Sequence, residues 1–296
     1  MKYYSFHEYC RDTFGCKVYK LSLDAGFTCP NRDGTLSQGG CIFCSGGSGR
    51  FAVSGKDIGA QLEAAKAFVK GKGAEKYIAY FQAYTNTYAP VETLRELFTS
   101  AIQPDDIVAL DIATRPDCLP GEVLDLLSKI NRIKPVFVEL GLQTAHEKSA
   151  AYINRCFTNE CYVQSVNELR KRKIHTVTHL IFGLPGESEA DILSSVRFAV
   201  ESGTNGVKFH MLNILEGTAI ADDYAAGKFS LMSREAYAKL VAKAVAVLPR
   251  DVVVHRLTGD GDKRILIAPD WVKDKKKTLN LIRKEINNIE RSACYE

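Results

Sequence analysis

The chain has 296 residues, of which 46% are hydrophobic and 25% are charged. This length fits one large domain or two small ones, and the composition is that of an ordinary globular protein rather than a disordered chain. No apolar run is long enough to cross a bilayer, and the N-terminal segment MKYYSFHEYCRD lacks the apolar core of a signal peptide. We therefore expect no membrane partner.

Charge and cysteine content bear on compartment and partners. Nine cysteines, an odd number, in a chain without an export signal indicate a reducing cytoplasm. The net charge of +4 is a weak indication of a polyanionic partner. Much of it lies at one end, because residues 273–296 contain seven Lys or Arg and four Asp or Glu. Such a cluster is by itself more often a solvated surface than a nucleic-acid site.

Strand and helix patterns alternate along the chain. Runs rich in β-branched and apolar residues predict strands at 18–23, 77–83, 106–113, 135–140, 175–182, 206–211 and 251–256. Helical spacing of apolar residues predicts helices at 57–70, 90–102, 120–130, 146–154, 159–171, 188–201, 233–247 and 274–291.

This alternation predicts parallel strands joined by right-handed crossovers. Six full units fit a partial, TIM-like (β/α)6 barrel, short of the eight of a closed one. We expect one domain at 1–272, with a basic helical extension at 273–296. The alternative is an open doubly wound sheet, which is disfavoured because no G-x-G-x-x-G turn follows the first strand.

Three cysteines lie in the Gly-rich loop 24–50 that follows the first strand. Cys29 is separated from Cys41 by eleven residues, and Cys41 and Cys44 form a C-x-x-C. Grouped thiolates in a chain without an export signal favour metal binding over disulfides. Three thiolates fit a four-iron cluster with one iron left open for a substrate, whereas a structural zinc site needs four closed ligands. Zinc held by this trio and Cys16 is the alternative.

The loop DAGFTCPNRDGT followed by GGCIFC resembles that of the radical S-adenosylmethionine (SAM) enzymes of the YhcC/YtqA type. These are similar to the radical domain of the Elongator catalytic subunit. The resemblance extends over residues 3–270. It implies that the three cysteines hold a [4Fe–4S] cluster whose open iron chelates SAM. A one-electron reductant of the flavodoxin or ferredoxin kind then allows cleavage to a 5′-deoxyadenosyl radical. The wide first gap, in place of the common three residues, is shared with the Elongator-like branch.

The resemblance also implies a SAM site at the carboxyl ends of the strands. Most relatives hold the methionyl amine with a Gly-Gly-Glu turn, and FQAYTNTY replaces that turn here. Gln143 and Arg155 match residues that meet the ribose hydroxyls and the methionine carboxylate, while GLPGE matches the adenine-binding turn. The implied SAM contacts are Gln82, Thr85, Asn86, Gln143, Arg155, His179, Gly183, Leu184 and Pro185. The alternatives are a surface helix position for Arg155 and a structural role for His179.

Further polar residues end other strands and are assigned to the substrate. The catalytic candidates are Arg115, Asp117, His210 and Asn213, with Arg256 and Asp260 after the last strand. Arg115 and Asp117 have the alternative of pairing with each other. Glu139 lies within a strand and is expected to face the barrel interior.

The Elongator-like resemblance implies a tRNA substrate. It suggests conversion of a carboxymethylaminomethyl group on wobble uridine to aminomethyl, which a partner methyltransferase would then finish. The residues expected to contact nucleic acid are Lys273, Lys275, Lys276 and Lys277. Two alternatives remain: a radical SAM enzyme acting on a small molecule or protein side chain, and a zinc-bound tRNA- or ribosome-binding module.

Overall fold

Strands and helices alternate along most of the chain in the computed structural model, which describes residues 3–46, 53–54, 57–259 and 261–293. Residues 47–50 of the cysteine loop and Asp260 lie outside the described residues. The strands are β1 Val18–Asp24, β2 Val53–Ser54, β3 Lys76–Phe81, β4 Ile107–Thr114, β5 Val136–Gln143, β6 His175–Phe182, β7 Gly206–Met211, β8 Ile214–Leu215, β9 Val253–Arg256 and β10 Leu266–Ala268.

Most of the helices connect consecutive strands. They are α1 Phe6–Phe14, α2 Ile58–Val69, α3 Val91–Ile102, α4 Gly121–Asn131, α5 Glu147–Tyr152, α6 Asn159–Lys171, α7 Glu189–Glu201, α8 Ala219–Ala225, α9 Arg234–Ala246 and α10 Lys275–Ala293. None of these helices, in the part of the chain that the structure describes, combines the length and the hydropathy that a membrane span requires.

The main sheet is parallel and curled. Its strand order is β2-β1-β3-β4-β5-β6-β7-β9. The Lys20 ammonium on β1 lies 2.8 Å from Glu139 Oε1 on β5, three strands away in the sheet. In a flat sheet those strands would be about 14 Å apart. The inner face is therefore closed on itself, which confirms the partial (β/α)6 barrel and rules out a doubly wound sheet with helices on both faces.

Most predicted elements are confirmed within a residue or two, and β6, β7 and α6 have the predicted bounds. The structure adds α1, α8 and the antiparallel pair β8–β10. α1 had a local signal, because Ser5 and Glu8 form a capping box and Gly15 ends the helix at φ 73°. β8 and β10 have two and three residues and pair across about fifty residues, so their sequences carry no local signal.

α1 closes the amino-terminal end of the barrel. Phe6 and Tyr9 lie edge-on to Phe137, with ring centroids 6.1 and 5.8 Å away. They pack on an inner layer that includes Ile78 and Val177. At the other end of the chain, the predicted helix of the basic extension is confirmed as α10. Its apolar residues pack against α9 and the main core. In the part of the chain that the structure describes, the carboxyl ends of the strands therefore form the open end of the barrel, where such folds place their chemistry.

We predict that Phe137→Ala lowers the free energy of unfolding by about 3–5 kcal/mol, because it leaves a cavity beneath α1. Phe137 is 1% exposed. Urea unfolding followed by circular dichroism measures the change. Phe68→Ala is the matched control: this ring is 65% exposed, and its loss should cost about 0.5 kcal/mol or less. Equal losses in the two variants would contradict the role of α1 as a packed plug.

Candidate active site

The cysteine loop crosses the open end of the barrel and is fixed to the far rim. The side-chain Nδ2 of Asn31 donates to the Asn154 backbone carbonyl at 2.6 Å, and the backbone N–H of Ile42 donates to the Ile153 carbonyl at 3.2 Å. Ile42 and Phe43, the two residues between Cys41 and Cys44, pack on an apolar cluster that includes Ile153, Leu184 and Ile220. The two residues inside the C-x-x-C, Ile42 and Phe43, therefore anchor the motif through apolar packing. This anchor holds the cysteines over the barrel and limits water access.

Arg115, at the end of β4, lies beside the cysteines. Burial raises the pKa of the Cys41 thiol to about 12, and the Arg115 guanidinium opposes this rise. Asn31 Nδ2 also lies 3.5 Å from Cys41 Sγ. Without a metal the Cys41 thiol is therefore neutral, and metal binding would release its proton. The nearby Arg115 guanidinium and the Asn31 amide would stabilise a Cys41 thiolate once a metal binds it.

A single metal ion does not fit these residues. Within the described residues no three His, Cys, Asp or Glu side chains converge closely enough to hold one ion. A four-iron cluster differs, because each thiolate binds a different iron. Cys16 lies before β1, whereas the trio follows it, so the length of the strand, about 23 Å, separates them. Cys16 therefore does not complete a zinc site with the trio.

Unpaired polar atoms are concentrated on the predicted site residues. Eleven buried side-chain atoms lack a hydrogen-bond partner among the described residues. Six belong to predicted site residues: Thr85 Oγ1, Asn86 Oδ1, Gln143 Oε1, Arg155 Nη2, His210 Nε2 and Asn213 Oδ1. A buried polar atom without a partner costs stability, so a group of them indicates a ligand that supplies the missing bonds. The residues present fit a polar cofactor such as SAM.

The turn after β3 is held under the cysteine loop. The Thr85 amide donates to the Thr28 carbonyl at 3.2 Å, while Asn86 Nδ2 donates to the Ala83 and Ala113 carbonyls at 2.9 Å each. The amide oxygen of Asn86 is thereby fixed with no donor of its own. Gln82, in contrast, is engaged: its Nε2 donates to Ser22 Oγ at 2.8 Å. Thr85 and Asn86 can thus offer oxygens to an amine.

Gln143 is the last residue of β5 and Arg155 follows α5, on the rim beneath the cysteine loop. Gln143 has a left-handed backbone, φ 64°, and its amide folds over Gly141, where a Cβ would lie 2.3 Å from Gln143 Nε2. Arg155 is 1% exposed, so it is not a surface residue. Its Nη1 donates to the Thr144 carbonyl at 2.7 Å and its Nε to the Phe157 carbonyl at 3.0 Å. Nη2 has no hydrogen-bond acceptor, and Glu147 Oε1 lies 3.6 Å from it.

The next strand, β6, places both His179 and the GLPG turn that follows it. His179 Nε2 lies 2.9 Å from Glu139 Oε2, so its ring is held from below. Gly183 has φ 89°, and a Cβ there would lie 3.3 Å from Met211 Cε, so this position requires glycine. Leu184 is buried in the apolar cluster that anchors the cysteine loop, and Pro185 follows it in the turn.

The predicted substrate residues divide into two groups. Arg115 and Asp117 pair with each other at 2.8 Å and 2.6 Å, so they form a rigid ion pair beside the cysteines. His210 and Asn213 lie on the opposite side, at and after the end of β7, under the loop that follows β9. Arg256 lies at the end of β9.

A buried ion network below the rim is the feature that sequence reasoning missed. Lys20, Tyr80, His179 and Lys208 come from four different strands and all contact the Glu139 carboxylate. Lys20 also pairs with Asp111 on β4. As predicted, Glu139 faces the interior. The signal was a single charged residue within each of several apolar strands, as in VFVELGL and GVKFHM.

The pKa values of the two carboxylic acids of the network, Glu139 and Asp111, are shifted in opposite directions. Burial favours the neutral form of Glu139, but Lys20, Lys208 and His179 together hold its pKa well below the usual value. Burial and the nearby Glu139 charge raise the pKa of Asp111 despite the two lysines. Burial also lowers the pKa of His179 to about 4, so its imidazole is neutral near pH 7. Glu139 is thus the fixed negative charge of the interior.

The four predicted nucleic-acid lysines surround the start of α10 and are exposed. Lys273 pairs with Asp270 at 2.7 Å. Lys275, Lys276 and Lys277 form the first turn of the helix, which contains no acidic residue.

The chain belongs to the radical SAM superfamily. The superfamily model matches residues 29–199, and the model of the radical SAM C-terminal domain matches residues 204–288. Members use a [4Fe–4S] cluster to cleave SAM and need a reductant, so the zinc-module alternative is wrong.

The relatives place the chain within this superfamily. It is 44% identical to YtqA of Bacillus subtilis (strain 168) over 97% of this chain and 90% of that protein. It is 39% identical to YhcC of Escherichia coli (strain K12) over 88% and 85%. A tRNA uridine(34) acetyltransferase of Methanocaldococcus jannaschii is 23% identical over 54% of this chain and 30% of that protein.

A solved structure shows the same fold. The archaeal Elp3 of Methanocaldococcus infernus, with its N-terminus deleted, superposes with a TM-score of 0.69 at 16% identity. The match covers 93% of this chain and 63% of that one.

We predict that Glu139→Gln lowers the free energy of unfolding at pH 7 by about 3–5 kcal/mol, because the buried Lys208 and the partly buried Lys20 lose their shared carboxylate. The Glu139 contribution is fully present above its unfolded pKa of 4.5 and is lost as pH falls through the depressed folded value. Urea unfolding curves of wild type and variant should therefore converge in acid. A constant difference from pH 7 to pH 3 would contradict this account, and exposed Glu92→Gln is the control.

Proposed function

We propose that this chain is a tRNA-modifying radical SAM enzyme that converts carboxymethylaminomethyl on the wobble uridine to aminomethyl. The observation that supports a SAM site here is the set of four buried polar atoms, on Thr85, Asn86, Gln143 and Arg155, that lack hydrogen-bond partners among the described residues. A reducing cytoplasm, a flavodoxin- or ferredoxin-like reductant and a partner methyltransferase that finishes the side chain belong to the same proposal.

When bound, the cofactors supply one electron to SAM and a 5′-deoxyadenosyl radical that takes a hydrogen atom from the substrate. Cys29, Cys41 and Cys44 would hold the cluster. Arg155 Nη2 would meet the methionine carboxylate, and Gln143 Oε1 would accept from a ribose hydroxyl. The backbone of the GLPG turn would pair with adenine. Ile42 and Phe43 would keep the loop closed against water.

The substrate reaction balances as an oxidative removal of the carboxymethyl group. One hydrogen atom leaves with 5′-deoxyadenosine, and one electron and one proton leave to a one-electron acceptor of the iron–sulfur or flavin class. Water then supplies the oxygen of glyoxylate, and the amine remains on the uridine.

Two observations support tRNA as the substrate. One relative is named as a tRNA uridine(34) acetyltransferase, and the fold matches that of an Elp3 protein. Lysines in the first turn of α10 oppose the helix dipole by about 0.3–1 kcal/mol each, so helix stability does not explain them. β10, just before α10, pairs with β8 at the end of β7, which brings these cations to the open end of the barrel. A polyanion at that end would account for their position.

Nucleoside mass spectrometry of tRNA tests the proposal in cells that lack this chain. We predict accumulation of carboxymethylaminomethyluridine and loss of aminomethyluridine and its methylated product. Wild type should restore the profile, and Cys41→Ala should not. An unchanged uridine profile would remove the tRNA assignment.

Purified protein tests the lysines. Replacing Lys275, Lys276 and Lys277 by Glu should weaken tRNA binding and lower the slope of log K against log salt by about 2–3. The control replaces Lys70, Lys76 and Lys239, which are exposed elsewhere, and makes the same change in charge. An equal loss of tRNA affinity in both triple variants would mean that net charge, not this surface, determines binding.

A further inference from the structure

A β-bulge turns Arg256 into the barrel. In the pairing of β7 with β9, Val254 lies opposite Val207 and Arg256 lies opposite Lys208, so His255 is the extra residue. Val254 and Leu257 pack in the outer core, while His255 stacks on Phe6 of the plug at 4.2 Å. His255 and Arg256 therefore both face inward, because a bulge re-aims the side chains that follow it.

Arg256 is a cation of the interior with no counter-charge among the described residues. Three basic residues, Lys20, Lys208 and Arg256, face two carboxylates there, Asp111 and Glu139. Lys20 contacts both carboxylates, and Lys208 contacts Glu139. Among the residues that the structure describes, the Arg256 guanidinium has no hydrogen bond or ion pair. A partly buried, unpaired cation is costly unless a ligand supplies the anion.

His210 lies next to this guanidinium and also lacks a partner. Its ring stacks on His179 with centroids 5.1 Å apart, and its Nε2 is buried without a hydrogen bond among the described residues. Burial and the Arg256 charge lower the pKa of His210 well below the usual value, so the ring is neutral. Gly259 covers it: a Cβ there would lie 2.9 Å from His210 Nδ1. We call this pair, a neutral imidazole and a guanidinium at the carboxyl ends of β7 and β9, the carboxylate cleft, because both groups can bind one anion.

We propose that Arg256, assisted by His210, binds a carboxylate of the substrate and makes the enzyme specific for the carboxymethyl-bearing side chain. This inference rests on the proposed function. The planar guanidinium matches a carboxylate in a bidentate manner. The product amine has no carboxylate and loses this contact, so the same residue favours product release.

Position distinguishes this cleft from the expected site of the SAM carboxylate. Arg155 lies after β5 beneath the cysteine loop, and its neighbours include Cys41 and Arg115. Arg256 lies at the end of β9, at the far edge of the sheet, and its neighbours are Lys208, His179 and His210. The two guanidinium groups therefore serve different anions on opposite walls.

Equilibrium dialysis of two nucleosides tests the proposal on anaerobically reconstituted enzyme with SAM. We predict that 5-carboxymethylaminomethyluridine binds wild type at least tenfold more tightly than 5-aminomethyluridine. Arg256→Gln should remove this preference and leave the affinities for 5-aminomethyluridine and SAM unchanged. Arg256→Lys should keep part of it, because Lys retains the charge without the bidentate geometry. Arg250→Gln, an exposed residue before β9, is the control and should behave as wild type.

The outcomes separate the sources of the anion. If Arg256→Gln still prefers the carboxylate-bearing nucleoside, the proposal is overturned. It is also overturned if the variant keeps this preference but loses affinity for SAM, because Arg256 would then bind the methionine carboxylate. N-Methylglycine, the side-chain fragment, is a second probe. If neither nucleoside binds but N-methylglycine raises the thermal midpoint of wild type and not of Arg256→Gln, the tRNA proposal fails and the carboxylate cleft stands. If neither the nucleosides nor N-methylglycine stabilises the wild-type protein, the carboxylate cleft is overturned.

Discussion

The Glu139 carboxylate accepts contacts from side chains on four other strands: Lys20, Tyr80, His179 and Lys208. These contacts exist only because the sheet curls until β1 and β7 both come within reach of β5. A carboxylate buried with two lysines is costly to assemble from water and more costly to leave incomplete. The network therefore defines both the curvature of the half-barrel and the floor of the chamber above it. Its fixed charge also orients the His179 ring, which reaches toward the rim.

Above this floor, the rim is arranged as two walls. One wall carries the cysteine loop, anchored by Ile42 and Phe43, with Arg155 and the turn after β3 beneath it. The other wall carries His210, Asn213 and Arg256 at the ends of β7 and β9. A cofactor on the first wall and a substrate on the second would meet over the network. The lysines of α10 stand outside the second wall, where a polyanion would approach.

The sequence patterns predicted the class of fold because each parallel strand is buried on its outer face and bounded by turn residues. They also identified the cysteine loop, since C-x-x-C with a third cysteine is a local pattern. The partners of Glu139 were not predicted, because they come together only through the closure of the barrel. In the sequence, Lys20 and Lys208 are single charged residues within predicted strands. No local pattern indicates that both side chains contact the same carboxylate. The inward turn of Arg256 depends on a bulge in the β7–β9 register, and register is a long-range property.

The central claim is that three thiolates on one loop hold a four-iron cluster with an open iron. The most direct measurement is iron, labile sulfide and zinc content after anaerobic reconstitution of wild type and single Cys→Ser variants. The account predicts about four irons and four sulfides per chain for wild type and for Cys16→Ser, and loss of both in variants at Cys29, Cys41 and Cys44. Stoichiometric zinc without labile sulfide, or an equal loss of iron in Cys16→Ser, would contradict it.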